Sequence, residues 1–109
     1  MMDFELWEYP EPGIKRKLYK PGEKLMIMKV VFEEGAEGAS HSHPHEQLTY
    51  CLKGDMEFTI KGKVKRIQEG EVLTIPPHAV HGAKALAPSI ILDVFTPLRE
   101  DLLSDTSSV

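Results

Sequence analysis

Histidines form the sharpest chemical pattern in this sequence, because they fall in two short segments, HSHPHEQ and PPHAVHG. His41 and His43 are two residues apart, so on an extended chain both imidazoles project from one face and can reach one metal ion. Pro44 supports this, since it biases His43 toward the extended conformation. Gln47 has the same parity four residues later. These residue types at this spacing predict a site for one divalent metal ion.

The second histidine segment, GEVLTIPPHAVHG, is expected to complete that site. Its two prolines end a strand, and His78 and His81 lie in the turn and strand that follow. The residues alone leave open which of the two binds the ion. They also leave His45 as a candidate for a contact behind the ligands, because it shares the parity of His43. A lone histidine is more often a surface or hydrogen-bonded residue, but two clusters bounded by Gly and Pro favour ligands.

An acidic residue interrupts an otherwise apolar strand in SIILDVFTP. Asp93 has apolar neighbours on whichever face of that strand is buried, and a buried carboxylate without a partner is costly. It therefore predicts either a structural hydrogen bond or a proton-transfer group with a raised pKa. Arg99 follows six residues later and is by default a solvated cation beside Glu100 and Asp101. Its functional interpretation is a clamp for an anionic substrate, since a guanidinium matches a carboxylate.

The elements that must position these side chains are strands. In DMEFTIK, Met56, Phe58 and Ile60 alternate with polar residues, which is typical of a strand with one buried face. Similar segments recur between closely spaced glycine turns, a rhythm that favours antiparallel hairpins over helix-connected parallel strands. We therefore predict an all-β barrel over about residues 14–96, a terminal arm over 1–13, and a short C-terminal helix that begins at Pro97 and covers about 97–104.

Length and composition limit the remaining possibilities. A chain of 109 residues is expected to be a single domain, 1–109. The formal net charge of −4, with no evident basic face, argues against a nucleic-acid partner. No apolar run is long enough to cross a membrane, and the start MMDFELWEYPEP lacks the features of a signal peptide, which predicts a cytoplasmic protein. The lone Cys51 agrees with a chain that has no disulfide.

The two histidine segments resemble the paired motifs of the cupins, Gly-x5-His-x-His-x3-4-Glu-x6-Gly and Gly-x5-Pro-x-Gly-x2-His-x3-Asn. The matching residues are Gly35, His41, His43, Gly54, Gly70, Pro76 and His81. The departures are Gln47 in place of Glu, His78 in place of Gly and Ala85 in place of Asn. The resemblance implies a double-stranded β-helix, the cupin jelly-roll barrel, over about residues 25–96. It also implies that His41, His43, Gln47 and His81 bind the metal ion inside the barrel mouth.

Gln47 in place of glutamate makes every implied ligand neutral, so a bound ion would keep its full positive charge. Such an ion is a stronger Lewis acid, and it lacks a carboxylate ligand that would stabilise a higher oxidation state. This favours polarisation of a hydroxyl or carbonyl group over redox chemistry with oxygen. Nickel, zinc, manganese or iron each fits three imidazoles and one amide oxygen.

A narrower resemblance covers more of the chain. HSHPHEQ, IPPHAVHGA and ILDVFTPLREDLL, with Trp7 and the segment GIKRKL, are similar to the pectin-degradation cupins of the KdgF type. In that group the metal ligands are three His and one Gln, as here. The resemblance implies an isomerase-type enzyme that opens the ring of an unsaturated uronate from pectin or alginate and yields the linear keto form. It assigns catalytic roles to Asp93, Phe95 and Arg99.

Three other functions are compatible with a small cupin. A metal-dependent dioxygenase would need iron or copper, oxygen uptake and an aromatic or diol pocket, and the missing carboxylate ligand counts against it. A binding module would hold a sugar or metabolite without converting it. A purely structural metal is the third, although structural zinc sites commonly use cysteine, and none is available as a ligand here. The exposed strand edges of a short barrel also predict a homodimer.

Overall fold

The structure, a computed structural model, describes residues 4–103, and strands make up most of it. In chain order the elements are β1 (Glu8–Glu11), β2 (Ile14–Leu18), β3 (Met26–Phe32), β4 (Glu37–His41), β5 (Glu46–Lys53), β6 (Asp55–Ile60), β7 (Lys63–Gln68), β8 (Val72–Ile75), β9 (His81–Ala85), β10 (Ser89–Thr96) and the helix α1 (Glu100–Leu103). A membrane-spanning helix is not found among these residues.

The strands form two antiparallel sheets. One has six strands in the order β1-β2-β3-β10-β5-β8, and the other has four in the order β4-β9-β6-β7. The predicted all-β class with a short C-terminal helix is confirmed. Because β3, β5 and β10 are neighbours although they are distant in sequence, the sheet brings the first histidine segment beside the strand that carries Asp93.

The core lies between the inner faces of the two sheets. Alternate residues of β3 are buried, as are Met56, Phe58 and Ile60 of β6, which confirms the period-2 pattern seen in the sequence. The buried residues of β5 and β10 differ, because polar Gln47, Thr49 and Asp93 take inward positions at one end. An apolar core with polar groups at one end predicts that the functional site is at that end.

Both ends of the chain differ from the expected boundaries. The predicted terminal arm over 1–13 contains β1, which pairs with β2 at the edge of the larger sheet. The predicted helix over about 97–104 is shorter, since α1 begins at Glu100, and residue 104 lies outside the described part. β1 was not predicted because its sequence consists largely of proline and charged residues. β4 and β9 were not predicted because they are short, rich in Gly and Ala, and lack an alternation of apolar and polar residues.

Candidate metal centre and substrate cavity

Three histidines converge at the polar end of the barrel. His41 and His81 are direct cross-strand partners in β4 and β9, with ring centroids 4.4 Å apart. His43 lies where the chain crosses from β4 to β5, with its ring 5.0 Å from that of His81. One possible ligand atom of each residue lies within 4.8 Å of those of the other two. The second histidine segment therefore contributes His81 to this cluster.

Backbone hydrogen bonds set the orientation of two of these rings. His41 Nδ1 lies 3.0 Å from the carbonyl oxygen of Ala39, and His81 Nδ1 lies 2.8 Å from that of Ala79. A carbonyl only accepts, so Nδ1 is the protonated nitrogen in each ring. The Nε2 atom then carries the lone pair that a metal ion requires.

His43 is buried, and its surroundings favour the neutral imidazole. Its Nε2 lies 3.1 Å from Gln47 Oε1, and its buried Nδ1 has no hydrogen-bond partner among the described residues. Burial, followed by the charge of Arg99, lowers the pKa of His43 to about 4. Burial also lowers the pKa of His81. Both rings are therefore neutral at physiological pH, which is the form that binds metal ions.

Gln47 is tied to Asp93 through a buried hydroxyl. Gln47 Nε2 donates to Thr49 Oγ1 at 2.9 Å, and that hydroxyl donates to Asp93 Oδ1 at 2.7 Å. Thr49 and Asp93 are direct partners across β5 and β10, which accounts for the short contact. The chain of donors fixes the Gln47 amide so that its oxygen, an acceptor and potential ligand, faces His43.

Asp93 is a buried carboxyl group with an altered proton affinity. Loss of hydration raises its pKa to about 6, against the opposing effects of hydrogen bonds from Thr49 and Gln47 and of the charge of Arg99. Both protonation states are therefore accessible near neutrality, as proton transfer requires. The hydrogen bond from Thr49 agrees with the structural interpretation of Asp93, and proton transfer by this group stays a prediction.

Arg99 and Phe95 form one wall of the site. Phe95 is buried beside His43, with ring centroids 5.7 Å apart, and the Arg99 guanidinium lies 4.9 Å from the centre of the Phe95 ring. Arg99 is 7 % exposed, so its default interpretation as a solvated cation is wrong. Its Nε and Nη2 atoms donate to Asp101 at 2.9 and 2.7 Å.

The two remaining histidines support the site from outside. His45 Nε2 lies 3.1 Å from the carbonyl oxygen of Leu98, next to Arg99, so it links the start of β5 to the segment that carries the guanidinium. His78 is exposed, and its backbone N–H donates to the His43 carbonyl at 2.7 Å. Neither ring belongs to the group of three converging histidines.

One cavity opens onto several of these groups. Its lining includes His41, Gln47, His81, Asp93, Phe95 and Arg99, and it has a volume of about 690 Å³ measured out to the solvent at its mouth. The base is rich in apolar side chains, and a few polar groups converge on one end. This is the usual organisation of a small-molecule site.

The donor set fits a divalent metal ion. His41, His43 and His81 supply imidazole nitrogens and Gln47 supplies an amide oxygen, the ligand types suited to first-row divalent metals. His43 Nε2 and Gln47 Oε1 lie 3.1 Å apart, close enough for both atoms to bind one ion.

Sequence reasoning did not single out Thr49, although it is fully buried and joins Gln47 to Asp93. Its parity with Gln47 was visible in the sequence. The register that places it opposite Asp93 was not, because the two residues are 44 positions apart.

Comparisons with known proteins agree with this geometry. A family model described as "Cupin domain" matches residues 28–95. The pectin degradation protein KdgF of Dickeya dadantii is 34% identical over 99 residues, which cover 89% of this chain and 90% of that protein. The structure of KdgF from Halomonas sp. is 38% identical with a TM-score of 0.83, and the match covers 90% of this chain and 91% of that one.

A third relative has a different activity in its name. A 3-hydroxyanthranilate 3,4-dioxygenase of Shewanella woodyi is 33% identical over 84 residues, which cover 73% of this chain but only 44% of that protein. Together the matches confirm the jelly-roll barrel implied by the sequence.

Proposed function

Since the chain belongs to the cupin family and, within it, to the KdgF-type cupins, we propose that it is a metal-dependent enzyme that converts an unsaturated uronate to its linear keto form. The observation that carries the proposal is the shared cavity, in which Gln47 and two histidines of the three-histidine cluster lie beside Asp93, Phe95 and Arg99. Similarity to the pectin degradation protein of Dickeya dadantii supports this class of substrate.

The reaction is an isomerisation, so no atom is gained or lost overall. The bond between the ring oxygen and the hemiacetal carbon breaks, and the hemiacetal hydroxyl loses its proton to become an aldehyde. The ring oxygen keeps the bonding electrons and leaves as an enolate, which takes up that one proton at carbon and becomes a ketone. A catalyst must therefore hold the ring, move protons and exclude water.

His41, His43, Gln47 and His81 are the proposed ligands of one divalent ion, which when bound would polarise a substrate oxygen as a Lewis acid. The sequence-based candidates nickel, zinc, manganese and iron all remain part of this proposal.

Asp93 is the proposed proton carrier. Its carboxyl group lies on the inner face of β10 and accepts the Thr49 hydroxyl at Oδ1. A carboxyl group with a pKa of about 6 can accept the proton of the hemiacetal hydroxyl and return it to the enol carbon near neutral pH. Thr49 holds this carboxyl group in one orientation, so less entropy is lost when it reaches the geometry for proton transfer.

Arg99 and Phe95 are proposed to hold the sugar acid. The guanidinium supplies positive charge at the cavity wall for the substrate carboxylate, and its burial strengthens that attraction. Phe95 offers an apolar surface to the ring and keeps water from the reacting carbons. The partner is thus a small anionic sugar acid. A cytoplasmic location and a homodimer stay predictions.

The first test is metal analysis of untagged protein together with loss of absorbance from an unsaturated uronate, with and without chelator. We expect about one divalent ion per chain and turnover that the chelator abolishes. Asp93→Asn should lower kcat by roughly 100-fold or more. Asp55→Asn, which changes a carboxylate of the other sheet paired with Arg66, should leave turnover unchanged. Equal turnover by the Asp93 variant would refute the proposed role.

The dioxygenase match supports a second candidate function. The same metal-loaded protein can be tested for oxygen uptake with 3-hydroxyanthranilate and related diols. Oxygen consumption without any uronate conversion would replace the isomerase proposal, whereas binding of a uronate with neither reaction would indicate a non-catalytic carrier.

A further inference from the structure

A second arginine, Arg16, lines the cavity from β2 of the larger sheet. In β2, Ile14 and Leu18 are buried and Arg16 alternates with them, so its side chain is on the same inner face. Arg16 lines the cavity together with Gln47, Asp93 and others of the site. A guanidinium on the inner face of a barrel is unfavourable unless an anion balances it.

The strand register places Arg16 near the site. Arg16 pairs with Val30, which pairs with Ile91 of β10. Asp93 lies in the next inward-facing row along the same strands, so the two charged groups are two strands and one row apart.

The balancing anion inside the chain is Glu8, and the pairing is incomplete. Arg16 Nε lies 3.0 Å from Glu8 Oε1, and the two side chains are 27% and 40% exposed. Within residues 4–103 the terminal nitrogens of Arg16 make no hydrogen bond. The two terminal nitrogens of Arg16 are therefore available as parallel donors. Together they can bind both oxygens of a carboxylate.

Arg99 is placed differently. Two of its nitrogens already donate to Asp101, and its planar group lies over Phe95. Much of its fork is therefore occupied before a substrate enters. A carboxylate has four lone-pair sites and can be shared by two guanidinium groups.

We propose that Arg16 binds the carboxylate of the sugar acid together with Arg99, and that Glu8 holds Arg16 in place until the substrate arrives. This inference rests on the proposed function, because it names how the same cavity recognises the acid group. Arg16 would act on binding more than on the chemical step, since the reacting carbons lie beside Asp93.

The test compares Arg16→Gln, Glu8→Gln and wild type in metal-loaded, full-length protein. Calorimetry measures binding of galacturonate and of its methyl ester, and turnover of the unsaturated uronate gives KM and kcat. We expect Arg16→Gln to weaken galacturonate binding and raise KM by roughly 10- to 100-fold. Its kcat should change by less than about threefold, and its binding of the ester should change little.

Glu8→Gln separates recognition from a structural role. If Arg16 only stabilises the strand pair, both variants break the same ion pair and should behave alike. If Arg16 binds the substrate, Glu8→Gln should bind galacturonate at least as tightly as wild type. Arg16→Lys should bind with intermediate strength, because it keeps the charge and loses the fork.

Arg66→Gln is the matched control, since Arg66 is also paired with a carboxylate but lies on β7 of the other sheet. It should leave galacturonate binding unchanged. Equal loss of acid and ester binding in Arg16→Gln, parallel losses in both pair variants, or no uronate binding by wild type would overturn the inference. Absence of turnover with intact acid-selective binding would overturn only the proposed reaction.

Discussion

At the scale of single residues, the candidate site depends on Asp93, a buried carboxyl group whose surroundings disfavour the ionised form. Asp93 was visible in the sequence as an acid in an apolar strand, and burial does raise its pKa, to about 6. The sequence could not show that Thr49 lies opposite, because pairing across β5 and β10 is a property of the sheet register.

Asp93 should make the metal-stripped protein less stable as pH rises. Its folded pKa of about 6 exceeds the unfolded value of 3.8, so the folded state takes up the proton first on acidification. The destabilisation of the folded state by the buried Asp93 carboxylate is therefore greatest above about pH 6 and vanishes below about pH 4. Asp93→Asn, which can still accept from Thr49, should be more stable than wild type by about 3 kcal/mol at neutral pH.

Urea unfolding of chelator-treated wild type and Asp93→Asn across that pH range measures the difference. The advantage of the variant should shrink toward zero in acid, while titration of His43 and other groups affects both proteins alike. A difference that does not vary with pH would show that Asp93 keeps an ordinary pKa.

Thr49 should be needed for the orientation of Gln47. Thr49→Val keeps the shape and removes the hydroxyl, which leaves Gln47 Nε2 and Asp93 Oδ1 without their partner. We expect a loss of about 1–3 kcal/mol in unfolding free energy and roughly 10- to 100-fold weaker metal binding. Competition with a chromophoric chelator measures the affinity. Thr59→Val, at an exposed position of β6, should change neither quantity, and equal effects of the two variants would contradict this role.

At the scale of elements, the sequence predicted strands where apolar residues recur between turns and missed them elsewhere. β3 and β10 are mainly apolar, and β6 alternates apolar with polar residues, so all three show such a pattern. β4 and β9 do not, yet they carry His41 and His81, and their pairing creates the site. The spacing of the cupin motif identified these two ligands, although the pattern of apolar and polar residues did not predict the strands that carry them.

The motif glycine between β5 and β6 illustrates how a turn sets this register. Gly54 has a φ of 100°, and a Cβ there would lie 2.3 Å from Ser89 Oγ and 2.5 Å from the Pro88 carbonyl oxygen. Ser89 also accepts the Asp55 N–H and so joins the turn to the start of β10. The glycine is required both by its backbone conformation and by close contact.

Gly54→Ala should therefore be much more harmful than the same change at Gly62. Gly62 also has a positive φ, of 79°, but a Cβ there would meet nothing within 4 Å. We expect Gly62→Ala to cost roughly 1–2 kcal/mol for the left-handed backbone alone, and Gly54→Ala to cost more because Pro88 and Ser89 must move. Thermal and urea unfolding provide the comparison, and equal losses would mean that the close contact is relieved without strain.

At the scale of the whole molecule, the larger sheet has an outer face that residues 4–103 leave uncovered. Its exposed or half-buried apolar side chains come from four adjacent strands: Ile27, Leu48, Tyr50, Leu52, Val72, Leu92 and Val94. Contiguous apolar patches of this kind are uncommon on monomers and are typical of interfaces. The exposed apolar residue Val64 lies on β7, in the other sheet.

The predicted homodimer should use this outer face. The charged residues on this face include Lys29 of β3 and Glu46 of β5, which have opposite sign, so two copies can meet there with little repulsion despite the net charge of −4. Leu48→Glu places two carboxylates in such an interface and should convert the dimer to a folded monomer. Val64→Glu introduces the same charge at a 62% exposed position of the other sheet and should not. Light scattering after size exclusion measures the mass. Because the cavity opens at the end of the barrel and not on this face, the monomeric variant should still bind metal. A dimer that survives Leu48→Glu would place the interface elsewhere.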